Sequence, residues 1–446
     1  MLGWAIRSIA TGSPGLRRSR FDLPILLFCV WTGLSSLLSA EPGISLLKLR
    51  SLWCILIFYL VRSIVTRRIA LVLVVLLIIS GLAGVLFSVY DLARGRGVVV
   101  TSITTSSPFS SIGVEQGDVI WRVAERRIYS LPELDSALKS LPPGVPFSVS
   151  IISQGEHVER PGVVLTPSQQ SSSSPSGITG NETSHRFRAS GWTRHYDTFA
   201  ELLLMVGQLA FGIALTNFRN HGLNVRFRLA LIATILLTLG VALTAMRTVM
   251  VAMVIAASLI AWRALRGTSK VVFTFGVFFV LAFGAVVVWQ TRAQTALELG
   301  DPSSNLRLEV ARVGLSRVMQ HPVFGHGMDA MQKHWTEWGF PGHEMVHLHS
   351  TPLQLAFDRG LPALLIWLWL MGSVWLQLSG CERLSRESSD TNLSGVLLGA
   401  LGAVTGFLIS SLVNYNFGDG EVAMLLFWTI GIAMVVCDQL PLAHTA

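Results

Sequence analysis

Long apolar runs separated by short polar loops limit most strongly how this 446-residue chain can fold. A membrane-spanning helix needs about 20 mostly apolar residues, and about ten runs approach that length. Only 13% of the residues are charged, whereas a soluble domain carries about a quarter. The sequence therefore predicts an all-α polytopic membrane protein. The predicted spans are Phe21–Leu38, Leu46–Ile64, Ile69–Leu92, Phe199–Phe218, Leu229–Met246, Val249–Leu265, Val271–Trp289, Leu353–Leu378, Leu393–Val413 and Val422–Val436.

Charge in the loops indicates how the chain crosses the membrane. A formal net charge of +8 would suggest a nucleic-acid partner for a soluble protein, but most basic residues here lie in short loops between apolar runs. These loops fall on one side if the N-terminus is cytoplasmic. The positive-inside rule then predicts a multi-pass protein of the cell inner membrane with both termini cytoplasmic and no nucleic-acid partner. Two long segments, residues 93–198 and 290–352, face the periplasm in this topology.

Three details of the apolar runs affect the expected fold. The second run carries Lys48 and Arg50 and the last run is short, so these are the weakest predicted spans. The run that begins near Phe21 has no small-residue cleavage site after it, which predicts a retained span. None of the four cysteines lies in a segment predicted to face outward, so no disulfide framework is expected.

The first long segment combines a folded stretch with a Ser-rich stretch. Residues 97–165 show strand-like apolar patterning with Gly and Pro between the strands, which predicts a small α+β domain. Its predicted elements are strands at Val98–Ile103 and Val145–Ile152 and a helix at Leu131–Leu141. Gln169–Ser184 is Ser-rich with few apolar residues, which is typical of a flexible linker.

The stretch Ser-Pro-Phe-Ser-Ser-Ile-Gly-Val-Glu-Gln-Gly-Asp-Val-Ile, which begins at Ser107, resembles the pattern of bacterial protease-associated PDZ domains. The resemblance implies that a PDZ-like domain binds a peptide or protein by adding a strand to a sheet edge. Arg94–Gly95–Arg96–Gly97 resembles the carboxylate-binding loop of such domains only weakly. A spacer or docking module without a free peptide ligand is the alternative, and the sequence does not decide between them.

The second long segment and its flanking spans hold three groups of polar residues. Arg247 lies at one end of the fifth span, where a charge is costly unless it is paired or faces a polar cavity. An amphipathic helix is predicted over Asn305–Met319, with Arg307 near its start and Arg312 further along. His347–Leu348–His349–Ser350 lies at the mouth of the next span. An interfacial arginine, a solvated basic helix and ordinary loop histidines are the structural alternatives.

In this order the residues resemble the O-antigen ligase and polymerase family of envelope glycosyltransferases. That family has an Arg at the outer end of a span, an Arg before a P-x-x-G-x-G loop, and an H-N-x-x-L-Q segment followed by Gly. This chain has Arg247, then Arg307 before Pro322–Gly327, then His349–Gln354 with Gly360 downstream. The resemblance covers nearly the whole chain outside the PDZ-like insert and implies a fold of the GT-C-like kind.

The chain departs from the family pattern in three ways. Ser350 stands where Asn is usual, and Met246 stands where a small residue usually precedes the Arg. The chain also has about two fewer N-terminal spans than many members, judged by span length. Two weaker similarities, at Trp192–Glu201 and Asn414–Phe417, are equally compatible with ordinary interfacial loops.

The resemblance implies an enzyme that transfers a glycan from a polyprenyl-pyrophosphate carrier to an acceptor hydroxyl, on lipid A core or on a second lipid-linked glycan. Arginine stays charged and binds phosphate oxygens in pairs, so Arg247 and Arg307 are candidates for holding the leaving group, with Arg312 as an additional candidate. Histidine is a suitable base near neutral pH, and His349 is the candidate base, with His347 as a neighbour of undetermined role. No Asp-x-Asp pair is present, so neither a metal nor a cofactor is expected.

A competing motif overlaps this segment. His343–Glu344–Met345–Val346–His347 fits the zinc-protease pattern H-E-x-x-H, and with a PDZ-like domain it resembles the intramembrane site-2 proteases. The motif lies outside the apolar spans, and Pro341–Gly342 and Pro352 leave little room for the helix that it requires. A non-enzymatic scaffold or transporter is a third interpretation, although the notable ionisable residues cluster at span ends, not at mid-span.

The sequence therefore predicts six regions, in which three groups of spans are separated by a PDZ-like domain with its linker and by a catalytic loop. The regions are N-terminal transmembrane helices (1–92), a PDZ-like periplasmic domain (93–168), a Ser-rich linker (169–198), transmembrane helices (199–290), a periplasmic catalytic loop (291–352) and C-terminal transmembrane helices (353–446).

Overall fold

The computed structural model describes residues 18–153, 156–185, 187–273, 276, 302–342, 345–386 and 390–440. The chain divides into two compact units. The first, here called the helical unit, comprises Met1–Ala83 and Thr193–Ala446, and the second, here called the β unit, comprises Gly84–Trp192.

Long apolar helices make up most of the described residues. Eight helical stretches are long and apolar enough to cross a membrane; one of them, Pro42–Ile64, joins α2 to α3 through a 3₁₀ turn. This confirms a mostly helical multi-pass membrane protein. The helices are α1 (Asp22–Leu37), α2 (Pro42–Lys48), α3 (Trp53–Ile64), α4 (Arg67–Arg94), α5 (Leu131–Ser140), α6 (Pro167–Gln170), α7 (Tyr196–His221), α8 (Val225–Leu243), α9 (Arg247–Ala264), α10 (Pro302–Gln320), α11 (Ala330–Lys333), α12 (Thr351–Ser385), α13 (Thr391–Ser411) and α14 (Gly420–Cys437).

Two of the ten predicted spans are not among the eight stretches long enough to cross a membrane. Helix α1 has 16 residues and falls short of the span length. The predicted span Val271–Trp289 lies outside the described residues except for 271–273 and 276.

Helices α7 and α13 form the centre of the helical unit, since 83% and 89% of their apolar windows are buried. Small residues allow the two helices to approach closely. A Cβ at Gly399 would lie 2.6 Å from the Cα of Leu209, and a Cβ at Gly395 would lie 2.9 Å from the Cα of Ile213. Packing of this kind places the ends of the two helices in fixed positions.

Side-chain contacts identify two opposite ends of the helical unit. At one end, here called the histidine end, α7, α9 and α12 begin and α13 finishes, and Asn414 bonds to both Thr248 and Thr351. At the other, here called the basic end, Arg219 at the end of α7 donates to Ser394 near the start of α13. The catalytic residues predicted from the sequence belong to the histidine end.

The β unit is an antiparallel sheet with one helix packed on it. The strands are β1 (Val98–Ile103), β2 (Val119–Val123), β3 (Arg126–Arg127), β4 (Phe147–Ser153), β5 (Glu156–Val163) and β6 (Ile178–Thr183), in the order β5-β4-β2-β1-β6 with β3 beside β2. Leu134 and Leu138 lie one turn apart on α5 and are fully buried against the sheet, as the predicted helix requires.

Part of the Ser-rich stretch is strand and not flexible linker. Residues 178–183 form β6, which pairs antiparallel with β1 from Val98↔Thr183 to Ile103↔Ile178. Ile178 is 3% exposed and belongs to the sheet core. The linker prediction was wrong here because one buried Ile and the ladder hydrogen bonds outweigh a polar composition.

The cysteines also differ from expectation, because Cys381 and Cys437 are joined by a disulfide. Cys381 lies in the last turns of α12 and Cys437 ends α14. Their Cα atoms are 5.6 Å apart, which is within the usual range for a bridge. Sequence position gave no indication of this pairing, because it depends on how two distant helices pack.

Candidate active site

The two candidate histidines lie in the turn that leads into α12. Ser350 is the N-cap residue, and its hydroxyl accepts from the backbone N–H of Leu353 at 3.5 Å. Ser and Asn are interchangeable as caps, so the Ser at this position keeps the helix start that an Asn would provide. His349 has φ +53, a left-handed conformation that is unusual for a residue with a side chain.

Gln354 holds the histidine turn in place from inside the helix. Its Oε1 accepts from the backbone N–H of Leu348 at 2.7 Å, and its Nε2 donates to Oδ1 of Asp358 at 2.8 Å. Gln354 and Asp358 are both 2% exposed. The Leu-Gln pair of the sequence motif therefore positions the backbone between the two histidines.

Leu348 connects the same turn to α10. It is 2% exposed, and a Cβ on Gly314 of α10 would lie 2.9 Å from one of its methyl groups. Close packing of Leu348 on this glycine brings α10 beside the turn, and with it Arg307 near the helix start.

The two histidines contact each other and share an electropositive surrounding. Their ring centroids are 4.4 Å apart in an edge-to-face arrangement, and the Tyr415 ring lies 5.5 Å from that of His347. Burial, His347 and the positive charge of Arg307 together lower the pKa of His349 to about 3. Burial also lowers the pKa of His347; Asp197 opposes this shift and Arg307 adds to it. Both rings are therefore neutral at physiological pH.

Arg307 and Arg312 occupy different faces of α10. Both are exposed, but five residues rotate the side chain by about 140° around a helix. Arg307 acts electrostatically on both histidines. Arg312 points away from that face, so the structure brings together Arg307, His347 and His349 and leaves Arg312 apart.

Arg247 is the first residue of α9, and the residue that follows it is hydrogen-bonded to the site. It is exposed and follows Ala245, which has φ +55. The next residue, Thr248, accepts from Nδ2 of Asn414 at 3.1 Å, while the carbonyl of Asn414 accepts from the N–H of Thr351 at 3.1 Å. One asparagine thus ties the first turn of α9 to the first turn of α12.

A buried polar network behind this asparagine was only partly indicated by the sequence. Glu201 of α7 is 3% exposed and accepts hydrogen bonds from Ser410, from Asn414 at 3.3 Å and from Asn416 at 3.4 Å. Asn416 in turn accepts from Thr351 at 3.0 Å. The signal was a carboxylate near the start of an apolar span, together with the polar turn after α13, although neither fixed the pairing.

The Pro322–Gly327 loop acts as a clasp on α12. Helix α12 is broken at Gly360, whose φ of +80 is non-helical. The carbonyls freed there accept from the N–H groups of His326 at 2.8 Å and Gly327 at 2.9 Å, and the Leu361 N–H donates to Pro322 at 2.8 Å. The glycine-rich loop therefore binds backbone groups of the chain itself and fixes the segment between α10 and α12.

The competing zinc motif is only partly within the described residues, because His343 and Glu344 lie outside them. The described part of the motif, Met345–His347, is not helical, whereas H-E-x-x-H needs one helix to present both histidines. Among the described residues no group of three or more His, Cys, Asp or Glu side chains is placed to hold a metal ion.

The helical unit, the antiparallel sheet and the polar residues of the histidine end define a multi-pass membrane protein with an inserted PDZ-like domain. Residues 232–368 match the family model described as O-antigen ligase, and residues 81–159 match that of the PDZ domain. The chain therefore carries an O-antigen ligase domain and a PDZ domain. No curated protein matches the chain.

The matches give the activity its general class. The O-antigen ligase range contains Arg247, Arg307, His347 and His349. It indicates an enzyme of the O-antigen ligase and polymerase type that acts on lipid-linked glycans, while the PDZ match implies a peptide ligand for the β unit.

Proposed function

We propose that the chain transfers a glycan from a polyprenyl-pyrophosphate carrier to an acceptor hydroxyl on the periplasmic side of the inner membrane. The observation that carries this proposal is that His347 and His349 contact each other at the mouth of α12, with ring centroids 4.4 Å apart, and that Leu348 between them packs on the helix that carries Arg307. A cation beside a neutral imidazole is the pair that this transfer needs, because it must hold a departing pyrophosphate and accept one proton.

In the proposed step, the acceptor oxygen attacks the anomeric carbon of the carrier-linked sugar. The bond from that carbon to the pyrophosphate oxygen breaks, and its electron pair leaves with the pyrophosphate. The acceptor hydroxyl gives its proton to His349. Arg307 and Arg247 bind the pyrophosphate, and their fixed charges supply the stabilisation. We propose that no metal is required.

Substrate binding would also strengthen the proposed base. A free imidazole with a pKa near 3 is neutral but binds a proton weakly. A pyrophosphate bound to Arg307 would offset the positive charge that lowers this pKa, so the pKa of His349 would rise in the complex. The base would then become effective only when the donor is in place.

The orientation is part of the same proposal. The histidine end is placed in the periplasm and both termini in the cytoplasm. Basic residues at the helix ends support this, since Arg219, Arg263 and Arg386 gather at the basic end, where Glu382 accepts from Arg263 and Arg386 at 3.1 and 2.7 Å. The positive-inside rule places such an end in the cytoplasm.

Replacing His349 by Ala tests the assignment. In membranes supplied with a lipid-linked glycan donor, His349→Ala should lower the transfer rate by roughly 10²–10⁴-fold, which is the usual contribution of a general base. His221→Ala is the matched control, because this exposed histidine bonds to Thr391 at the basic end. Transfer at the wild-type rate with His349→Ala would rule out His349 as the base.

The acceptor distinguishes a ligase from a polymerase, and the glycan profile of a deletion strain separates them. Loss of long glycan from the lipid A core, while lipid-linked chains are still made, indicates a ligase. Loss of chain length alone indicates that the acceptor is a second lipid-linked glycan. Complementation with His349→Ala and His221→Ala then attributes the change to the site.

A further inference from the structure

A small cavity at the histidine end is lined by a buried arginine whose hydrogen-bond donors are partly without acceptors among the described residues. Its volume is about 90 Å³, enough for several waters or one oxyanion. Lys48, Asp329, Arg359 and Tyr415 are among its lining residues. Neither the ligase match nor the roles proposed above give this cavity a function.

Arg359 is the cation in question. It is 4% exposed, and its described hydrogen bond runs from Nη2 to the sulfur of Met328 at 2.9 Å. Its Nε and Nη1 have no partner among the described residues. A thioether is a weak acceptor, and the ring of Phe28 at 5.5 Å offers a face but no lone pair, so the guanidinium lacks a strong hydrogen-bond acceptor.

The nearest carboxylates make their described hydrogen bonds elsewhere. Asp329 pairs with Lys48 at 2.6 Å, so these two charges largely cancel at the cavity wall. Asp358 acts on Arg359 through its charge but accepts its described hydrogen bond from Gln354 at 2.8 Å. The Nε and Nη1 donors of Arg359 therefore remain without an acceptor among the described residues, and buried donors without an acceptor are costly.

Backbone contacts fix the position of Arg359. The indole N–H of Trp31 donates to the carbonyl of Arg359 at 2.9 Å, and Gly325 packs so closely that a Cβ would lie 2.6 Å from the backbone nitrogen of Arg359. Arg359 therefore cannot move its backbone away from the cavity without opening the clasp at Gly360.

We infer that this cavity binds an oxyanion, a carboxylate or a phosphate, carried by the glycan substrate. Free N–H groups of a guanidinium form strong, charge-assisted hydrogen bonds with such groups. Tyr415 lines the cavity, and its ring lies 5.5 Å from that of His347, so the bound group adjoins the histidine pair. The assignment to the glycan rests on the proposed function; the oxyanion site does not.

Thermal unfolding of the full chain in detergent tests the site. Arg247→Gln with Arg307→Gln removes the proposed carrier site and serves as the background. Inorganic phosphate and acetate are titrated at constant ionic strength. A saturable rise in Tm should persist in the background and should need at least ten times more anion when Arg359→Gln is added. Arg226→Gln, an exposed arginine, should change nothing.

Two results would overturn the oxyanion site: no saturable rise in the background, or the same rise after Arg359→Gln. If Arg359→Gln does not fold, Arg359→Lys decides. Without anion its Tm should stay near that of the wild type, because the charge beside Asp358 is kept, whereas at least ten times more anion should be needed because the paired guanidinium donors are lost. A large fall in Tm would instead make Arg359 a structural residue.

Transfer kinetics then test the source of the oxyanion. With Arg359→Gln, KM should rise for a donor glycan that bears a uronic acid or sugar phosphate and stay unchanged for a neutral glycan. An equal rise for both would overturn the assignment to the glycan. A failure of His349 as base would abolish neither the phosphate-dependent Tm nor its loss in Arg359→Gln, so the two hypotheses fail separately.

A second inference comes from the β unit. The PDZ match implies that a peptide adds a strand to a sheet edge, but β6 already occupies the edge of β1. The segment before β6 runs along α5, where the N–H of Ser176 donates to Asp135 at 2.9 Å and Lys139 donates to the carbonyl of Ser173 at 3.3 Å. The strand and the helix thus hold one continuous stretch between them.

The arginines of the weakly matching carboxylate loop are also engaged. Arg96 is 1% exposed, pairs with Asp91 at 3.3 Å and packs under the rings of Trp121 and Phe187. Arg94 pairs with Glu133 at 3.2 Å. We propose that residues 174–183 of this chain are the ligand of its own PDZ-like domain.

A labelled peptide of residues 174–185 tests this second proposal on the full chain. The variant has residues 178–183 replaced by a Gly-Ser repeat of equal length. It should bind the peptide at least tenfold more tightly than the wild type, because a tethered segment competes at a roughly millimolar effective concentration. Equal binding by the two chains would overturn the proposal.

A cysteine pair covers the case in which the replaced variant does not fold. Val99 and Glu182 face each other across the ladder, so Val99→Cys with Glu182→Cys should cross-link readily. Val99→Cys with Thr179→Cys is three residues out of register, about 10 Å, and should not. Equal cross-linking, or none in either pair, would show that β6 does not occupy this edge.

Discussion

The sheet edge of the β unit and the histidine end of the helical unit differ in whether their hydrogen-bonding groups have partners within the chain. In the β unit, the edge of β1 is paired along its length by β6, and Ile178 fills the core beside it. At the histidine end, two guanidinium nitrogens of Arg359 and the buried Nδ1 of His347 have no hydrogen-bond partner among the described residues. The chain itself fills the sheet edge, whereas it does not fill the cavity beside Arg359.

Backbone strain follows the same division. Within the described part of the chain, four residues other than glycine have positive φ, and three of them, Ala245, Asp329 and His349, lie at the histidine end. Such conformations persist only where the surroundings enforce them, and they concentrate at functional sites. Backbone strain is therefore concentrated at the histidine end of the described chain.

The largest effect should come from opening the clasp on α12. In Gly360→Ala the added Cβ would overlap the carbonyl oxygen of Val323, and the φ of +80 disfavours any side chain. We expect a loss of more than about 3 kcal/mol in the free energy of unfolding, measured by thermal unfolding in detergent. Gly372→Ala, on the same helix with nothing within 4 Å, should be neutral. Equal effects would mean that the clasp does not hold the site.

Replacing the cation beside the histidines should have the next largest effect. Arg307→Gln removes a charge that would hold the departing pyrophosphate, so kcat should fall by roughly 10²–10³-fold. Arg312→Gln, on another face of α10, should change kcat by less than about fivefold, given the helix geometry. A larger loss with Arg312→Gln than with Arg307→Gln would reverse the two assignments.

Truncating the strand that fills the β unit should cost less. Ile178→Ala removes a buried side chain from an edge strand of the sheet and should lower the local stability by about 2–3 kcal/mol, seen as faster amide exchange across β1 and β6 in the full chain. Val145→Ala, at an exposed position, should stay within about 0.5 kcal/mol of wild type. Unchanged exchange in Ile178→Ala would restore the flexible linker that the sequence predicted.

Periodicity and length predicted the helices well because lipid leaves the backbone few options. In the second predicted span, Lys48 ends α2 and pairs with Asp329, which lies far along the chain. Composition cannot predict this long-range pairing, which explains how the span can carry a charge. Strand β6 was missed because a single Ile in a Ser-rich stretch gives no period to detect.

The candidate site divides along the same line. Motif order predicted that Arg307, His347 and His349 act together, although residues 321–350, which include α11, separate α10 from α12. The bonds that position them are long-range: Glu201 reaches Asn414, and Leu348 packs on Gly314. The sequence could not identify Arg359 as a site residue, because its lack of hydrogen-bond partners among the described residues depends on how the helices pack.

The smallest expected effect is a shift in pH dependence. The pKa of His349 is lowered to about 3 in the free chain, so its ring stays unprotonated between pH 8 and about pH 4. Protonation of His349 should therefore not lower kcat/KM in this range. In the complex, pyrophosphate raises this pKa, so the acid limb of kcat should lie at higher pH than that of kcat/KM. Arg307→Gln removes a lowering charge and should move the kcat/KM limb upward.

The same pKa sets the sign of its effect on stability. An unfolded His binds protons below about pH 6.5, whereas the folded His349 does so only near 3. Between these values the unfolded chain holds more protons, so stability falls as the pH drops through that window. His349→Ala should lessen this fall relative to His221→Ala. If the acid limbs of kcat and kcat/KM coincide, the bound donor does not change the pKa of His349. The histidine end would then resemble the filled sheet edge, in that no ligand alters its site.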